Sequence, residues 1–135
     1  MGLDCSHDAF SGAYSSFSRL RWFIAKSTGI CSFPPHEDKT LDNDMIYFDD
    51  TFDKEKYKGL YEFLLHSDCD GEITSEMCEF VARDLELFLP NMLELEKEIS
   101  ATGHLTRNGG FVGTVKKFIG GCKDAHISNE PLLFQ

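Results

Sequence analysis

The stretch HSDCDGEI, residues 66–73, concentrates side chains that could do chemistry. It offers nitrogen, oxygen and sulfur donors, on His66, Asp68, Cys69 and Asp70. This mixture suits zinc or another transition metal better than calcium, which prefers oxygen ligands. Glu72 could act as the base on a metal-bound water, and it is the candidate catalytic residue of the stretch.

Two other segments carry donors of the same kinds. The N-terminal DCSHDA contributes Asp4, Cys5, His7 and Asp8, and CKDAH near the C-terminus places Cys122 and His126 four residues apart, on one face of a predicted helix. If the three segments converge, one divalent metal could be bound by side chains from all of them. The predicted ligands are Cys5, His7, His66, Asp68, Asp70 and His126, with Asp4, Cys69 and Cys122 close by.

A metal-free interpretation stays open for the same residues. Asp68 and Asp70 next to Gly71 are common turn residues, and Cys122 continues an apolar stripe that is typical of a core. His126 near a helix C-terminus could interact with the helix dipole and the last carbonyl groups. The alternative is therefore a polar, hydrogen-bonded cluster that joins the N-terminus to the central turn.

The central stretch also resembles part of a calcium-binding EF-hand loop. With Gly71 at the sixth position, Asp68 and Asp70 occupy the third and fifth positions, and Ile73 the apolar eighth. The first position is then His66, and the twelfth is Met77 where calcium needs a bidentate carboxylate. A degenerate calcium module is kept as an alternative, but calcium is disfavoured against a transition metal.

Length and composition predict one compact domain over residues 1–135, with enough apolar side chains for a core. No apolar run is long enough for a transmembrane helix, and the first residues lack a signal-peptide pattern. Five cysteines without a Cys-x-x-Cys motif are then expected to be reduced thiols in the cytoplasm. Gly2 and Ser6 also fit the short N-myristoylation pattern, and Cys5 could be palmitoylated.

The net charge of −10 disfavours nucleic-acid binding, because the surface would repel phosphate groups. Acidic residues concentrate in two blocks, 37–55 and 68–98. Such a surface suits divalent cations, a small polar ligand or a basic protein surface. It equally fits a solvated face that keeps the protein soluble.

Hydrophobic periodicity predicts a mainly α fold, a bundle of four or five helices. The expected helices cover about 9–27, 54–65, 75–88, a short piece after Pro90, and a last helix from Phe111 towards His126. Pro90 should end or kink the third helix. The run MIYF, 45–48, predicts one short strand.

Three blocks of sequence resemble a group of small proteins encoded by bacteriophages and bacterial genomes. The blocks are GLDCSHDAFSGAYSSF at 2–17, LLHSDCDGEI at 64–73 and AHISNEPLLF at 125–134. The resemblance implies that the blocks form one unit, which favours convergence of His7, His66 and His126. It also implies a cytoplasmic, phage-related setting, and it carries no catalytic assignment.

Together these features favour a small acidic intracellular binding protein with a polar or metal-binding pocket. Three alternatives stay open: a metal-dependent hydrolase, a phage host-takeover or anti-defence protein that acts by binding with an acidic face that mimics DNA, and the calcium module. The sequence leaves the ligand and the oligomeric state undetermined.

Overall fold

The computed structural model describes residues 2–30, 52–67, 70–99, 104–107 and 109–135. Within them the chain is mainly α, as predicted. The helices are α1 (Tyr14–Thr28), α2 (Lys58–Leu65), α3 (Ser75–Leu87), α4 (Leu89–Glu96), α5 (His104–Arg107) and α6 (Gly110–Ile127). None of the described helices is both long enough and apolar enough to cross a bilayer.

Among the described residues, four short strands form two antiparallel pairs. Strand β1 (Gly2–Asp4) pairs with β2 (Ser11–Ala13), and β3 (Glu72–Ile73) pairs with β4 (Leu132–Leu133). The prediction that the first helix starts near residue 9 is wrong, because residues 11–13 extend along β1 and α1 begins only at Tyr14. The strand predicted at 45–48 lies outside the described residues.

The ends of α3 and α4 follow the sequence signals. The Thr74 hydroxyl accepts a hydrogen bond from the Met77 N–H, which caps the start of α3. The helix ends at Leu87, and α4 starts at Leu89 with Pro90 in its first turn, where the missing N–H costs nothing. The proline therefore separates two helices, as expected.

The core is built largely from stacked and edge-on aromatic rings. Phe17 contacts Phe10, Phe63 and Phe134 at centroid distances of 5.2, 5.6 and 5.5 Å. Phe23 stacks on Phe111 at 4.0 Å. These rings come from both ends of the chain and from its middle, so the core joins α1, α2 and α6 to the C-terminal segment.

Two glycines allow close approach between elements. A Cβ atom at Gly59 would lie 2.2 Å from the Phe80 backbone, so α2 can pack on α3 only because residue 59 has no side chain. A Cβ atom at Gly121 would lie 2.4 Å from the Ala9 Cβ atom. The glycine therefore lets the N-terminal turn sit directly on α6.

Candidate functional site

The C-terminal residues 132–135 bring the three sequence blocks together. On one side, the Asp4 and Gln135 backbones exchange hydrogen bonds of 2.9 and 3.0 Å, and the Ser6 hydroxyl accepts the Leu133 N–H at 2.8 Å. On the other side, the Phe134 N–H donates to the Gly71 carbonyl at 2.9 Å, beside the β3–β4 pair. The segments meet mainly through backbone hydrogen bonds, with the Ser6 side chain as an additional acceptor.

The His66 side chain closes the central loop. Its Nδ1 lies 3.0 Å from the Ser67 carbonyl oxygen and its Nε2 lies 3.1 Å from that of Glu72. The Arg21 guanidinium donates to the His66 carbonyl. Both ring nitrogens therefore face acceptors, and only the doubly protonated imidazolium can donate to both at once.

The described part of this loop shares two features with an EF-hand loop, and a histidine nitrogen lies where the ion would be bound by a backbone carbonyl. Gly71 has a φ of +96°, the left-handed conformation that a sharp turn requires, and Ile73 is fully buried in the short strand. The Glu72 carbonyl stands at the seventh position, whose carbonyl binds the ion in an EF-hand, and here it accepts from His66. The calcium alternative stays a prediction, since Asp68 lies outside the described residues.

His7 lies in a strained turn at the N-terminus. His7 and Asp8 both adopt left-handed backbone conformations, with φ values of 56° and 57°, which are uncommon for side chains other than glycine. Nε2 of His7 lies 3.8 Å from a carboxylate oxygen of Glu130, and Asp8 lies 3.8 Å from the Lys117 ammonium. These two pairs join the turn to α6 and to the residues that follow it.

His126 faces α3. Its Nδ1 lies 2.9 Å from the Ser75 carbonyl oxygen, to which it donates, and its Nε2 lies 3.6 Å from the Glu79 carboxylate. The contact ties the end of α6 to the first turns of α3. The interaction with the dipole of its own helix stays a prediction, and the structure adds a tertiary contact with α3.

The three histidines thus have separate partners, although their segments converge. Among the described residues, no three His, Cys, Asp or Glu side chains gather in a way that could hold a metal ion. Asp68 and Cys69, two of the residues singled out from the sequence, lie outside the described residues. The shared metal site and the hydrolase that would depend on it therefore stay predictions.

The remaining candidates fall into buried and exposed groups. The Cys5 and Cys122 thiols are buried in the core, and the side chains of Asp4, Asp70 and Glu72 are exposed. Burial, with the Asp4 charge as a smaller contribution, raises the pKa of the Cys5 thiol to about 12. Cys5 is therefore a neutral core residue at ordinary pH, and Glu72 is the solvated carboxylate on β3.

Sequence reasoning missed a surface groove of about 320 Å³ between α3 and α6. Its walls follow helical spacing, with Glu79, Ala82, Arg83 and Glu86 on α3 and Lys123, His126 and Ile127 on α6. Two side-chain pairs cross it, the His126 ring with the Glu79 carboxylate at 3.6 Å and the Lys123 ammonium with the Glu86 carboxylate. The sequence did contain one signal, because the apolar residue Ile127 directly follows His126 and the polar CKDAH segment.

One edge of the groove carries an exposed apolar side chain. Ile127, on α6, is 80% exposed there, whereas Leu87 at the end of α3 lies beside Lys56 and Tyr57 instead. A single exposed aliphatic side chain is ordinary on a protein surface, but beside a groove it is a position that a partner can bury.

Comparisons with protein-family models, with curated proteins and with solved structures give no match for this chain.

Proposed function

We propose that this chain is an acidic binding protein that docks an amphipathic helix of a basic partner protein in the groove between α3 and α6. The observation that carries the proposal is the groove itself, with Ala82 in its wall, Ile127 on its edge and charged side chains around it. It differs from the pocket proposed from sequence, and it shares only His126 with the residues predicted for that pocket.

The shape of the groove supports a helical ligand. Residues 79, 82, 83 and 86 of α3 repeat at three and four positions, so they form one continuous face opposite 123, 126 and 127 of α6. A ridge of apolar side chains on a partner helix would pack between two such faces once the pairs that cross the groove, Glu79 with His126 and Glu86 with Lys123, have rearranged. Ile127 would then lose its exposure on binding.

Charge supports a basic partner. The chain carries a net charge of −10, and α3 contributes four acidic residues against Arg83. Asp84 is buried, but Glu76, Glu79 and Glu86 reach the surface, with Glu79 and Glu86 in the groove wall. Lysine side chains flanking the apolar ridge of a partner would compete with His126 and Lys123 for Glu79 and Glu86, and the net negative charge of the chain would speed the encounter.

The test uses a synthetic peptide that repeats leucine and lysine at amphipathic helical spacing. Fluorescence anisotropy would measure its dissociation constant for the wild type and for two matched variants, Ile127→Glu in the groove and Leu93→Glu outside it. Leu93 is 50% exposed on α4, so both variants place one new negative charge at an exposed aliphatic position. The overall electrostatic attraction therefore changes equally in the two proteins.

We expect Ile127→Glu to weaken binding at least about tenfold, or 1.4 kcal/mol, and Leu93→Glu to leave it nearly unchanged. A peptide with glutamate in place of lysine should bind more weakly than the basic peptide. Equal loss in both variants, or no saturable binding, would show that the groove is not the docking site. A dimer that Ile127→Glu converts to a monomer would make a second copy of the chain the occupant instead.

A further inference from the structure

A second pocket lies on the other side of α3, between that helix and the start of α2. Its volume is about 520 Å³, which is within the range of small-molecule sites. The residues that line it are Lys56, Tyr57, Arg83, Asp84, Glu86 and Leu87. It shares Arg83 and Glu86 with the groove, so the two cavities are neighbours on either side of these two side chains.

A buried carboxylate holds the Arg83 guanidinium in place. Its Nε and one Nη atom each lie 3.1 Å from Oδ1 of Asp84, whose side chain is only 2% exposed. The same Nη atom donates to the Lys56 carbonyl oxygen at 3.2 Å. The other Nη atom has no hydrogen-bond partner among the described residues, so it is available to a ligand from a fixed position.

The pocket is more positive than the chain as a whole. The Lys56 ammonium lies 5.2 Å from the centre of the Tyr57 ring and has no carboxylate partner among the described residues. The two acids in the pocket wall are already paired, Asp84 with Arg83 and Glu86 with Lys123. A positive charge on Lys56 therefore stays uncompensated at the pocket, although the net charge of the chain is −10.

The pocket also offers apolar surface beside these cations. Leu87 is 57% exposed, and the half-buried ring of Tyr57 is supported from behind by Phe88, with ring centroids 5.7 Å apart. A flat apolar group placed between Leu87 and Tyr57 would remove both from water. The pocket thus combines an apolar wall with two positively charged hydrogen-bond donors.

We propose that this pocket binds a small aromatic carboxylate. The carboxylate accepts hydrogen bonds from the available Nη atom of Arg83 and from the Lys56 ammonium, and the aromatic ring packs between Tyr57 and Leu87. This site lies outside the groove in which we place a partner helix, and it contains neither Ala82 nor Ile127. The two proposals therefore stand or fall separately.

The test compares three probes that share one ring system and differ in charge. They are 2-naphthoate, 2-naphthamide and 2-naphthylmethylammonium, and equilibrium dialysis measures the dissociation constant of each. General attraction to a chain of net charge −10 would favour the ammonium probe. A site built on Lys56 and Arg83 reverses this order, so the wild-type protein alone distinguishes the two cases.

Two matched pairs of variants locate the site. Lys56→Gln and Lys97→Gln each remove one exposed positive charge, the first in the pocket and the second on the helix turn that follows α4. Leu87→Ser and Leu93→Ser each remove an exposed leucine, inside the pocket and on α4 respectively. All four positions are exposed, so the substitutions leave the core intact.

We expect naphthoate to bind at least about tenfold more tightly than the ammonium probe, with the amide between them. Lys56→Gln and Leu87→Ser should each weaken naphthoate binding at least about fivefold, and the two control variants should leave it nearly unchanged. Ile127→Glu, which blocks the proposed helix groove, should also leave it unchanged. Tighter binding of the ammonium probe, or equal losses within either matched pair, would overturn the proposal.

Discussion

The imidazole of His66 lies on the ring of Phe134, with centroids 3.9 Å apart and planes inclined by 30°. Phe134 is buried and also contacts Phe17 and Phe118, so the histidine connects the central loop to the aromatic core. Carbonyl oxygens lie within hydrogen-bonding distance of both of its nitrogens, and its ring packs against the ring of Phe134. One side chain thereby fixes the loop in two ways.

Replacing His66 separates these two contributions. We expect His66→Ala to reduce the free energy of unfolding by about 1–3 kcal/mol, because the loop carbonyls lose a donor and Phe134 loses a packing partner. His66→Phe keeps an aromatic ring against Phe134, so it should recover part of the loss. Chemical denaturation of the three proteins measures this order. Equal stability of the alanine variant and the wild type would show that the loop is only a solvated turn.

Adding a chelator distinguishes the hydrogen-bonded arrangement around His66 from a metal site. Since both ring nitrogens of His66 already bond to carbonyl groups, we expect His66→Ala to lower the melting temperature equally with and without EDTA. An ion shared with Asp68 and Asp70 predicts a different result. The variant would then contain less metal, and the difference in melting temperature between variant and wild type would be smaller in EDTA, because an ion stabilises only the folded state. Asp68→Ala, measured in the same way, completes the comparison.

Two adjacent glycines of α6 predict opposite effects of the same substitution. A Cβ atom at Gly120 meets nothing within 4 Å, so Gly120→Ala should stabilise the protein by up to about 1 kcal/mol through helix propensity. A Cβ atom at Gly121 would lie 2.7 Å from the Ala9 Cα atom, a backbone position that cannot move aside cheaply. Gly121→Ala should therefore destabilise by about 1–3 kcal/mol, as overpacking does. Thermal melts test the sign of each change.

The helices could be predicted from sequence because their apolar positions repeat at three and four residues. The strands could not, since each spans only two or three residues and depends on distant partners, such as Ile73 opposite Leu132. The predicted start of α1 was wrong for the same reason. Phe10 and Ala13 continue the helical spacing, but pairing of Ser11–Ala13 with β1 holds that segment extended.

The N-terminal and central segments do meet at residues 132–135, but the site predicted on them stays a prediction. Sequence alone could not show that His7, His66 and His126 have different partners, because this depends on rotamers and on the path of the C-terminal residues. The groove was missed since its walls come from two helices that pack antiparallel. The spacing of Glu79, Ala82, Arg83 and Glu86 identifies one face of α3 but not its neighbour.

A buried carboxylate supplies a cap from a distant helix. The Leu60 N–H, in the first turn of α2, donates to Oδ2 of Asp84 at 2.9 Å, while Oδ1 pairs with Arg83. The Asp84 side chain is almost fully buried, so Asp84→Ala leaves an unsatisfied N–H and should cost about 2–4 kcal/mol. Asp84→Asn keeps an acceptor oxygen and should lose less. Equal losses in urea unfolding would argue against capping as the main role.

Alkaline pH should destabilise the protein through Cys5. Its pKa is raised from 9.0 to about 12 in the folded chain, so above about pH 9 the unfolded chain gives up a proton that the folded chain retains. The stabilisation is complete below pH 9 and is lost as the pH rises towards 12. Between about pH 8 and 10.5 this one thiol should lower the free energy of unfolding by at most about 2 kcal/mol.

The variant Cys5→Ala isolates that contribution. Other groups that titrate over the same range act on both proteins, so the difference between wild type and variant is the quantity to measure, by urea unfolding under reductant. The free energy of unfolding should fall more steeply with pH for the wild type than for the variant, so the two curves should converge or cross as the pH increases. Parallel curves would mean that the Cys5 thiolate is no worse accommodated in the fold than in the unfolded chain.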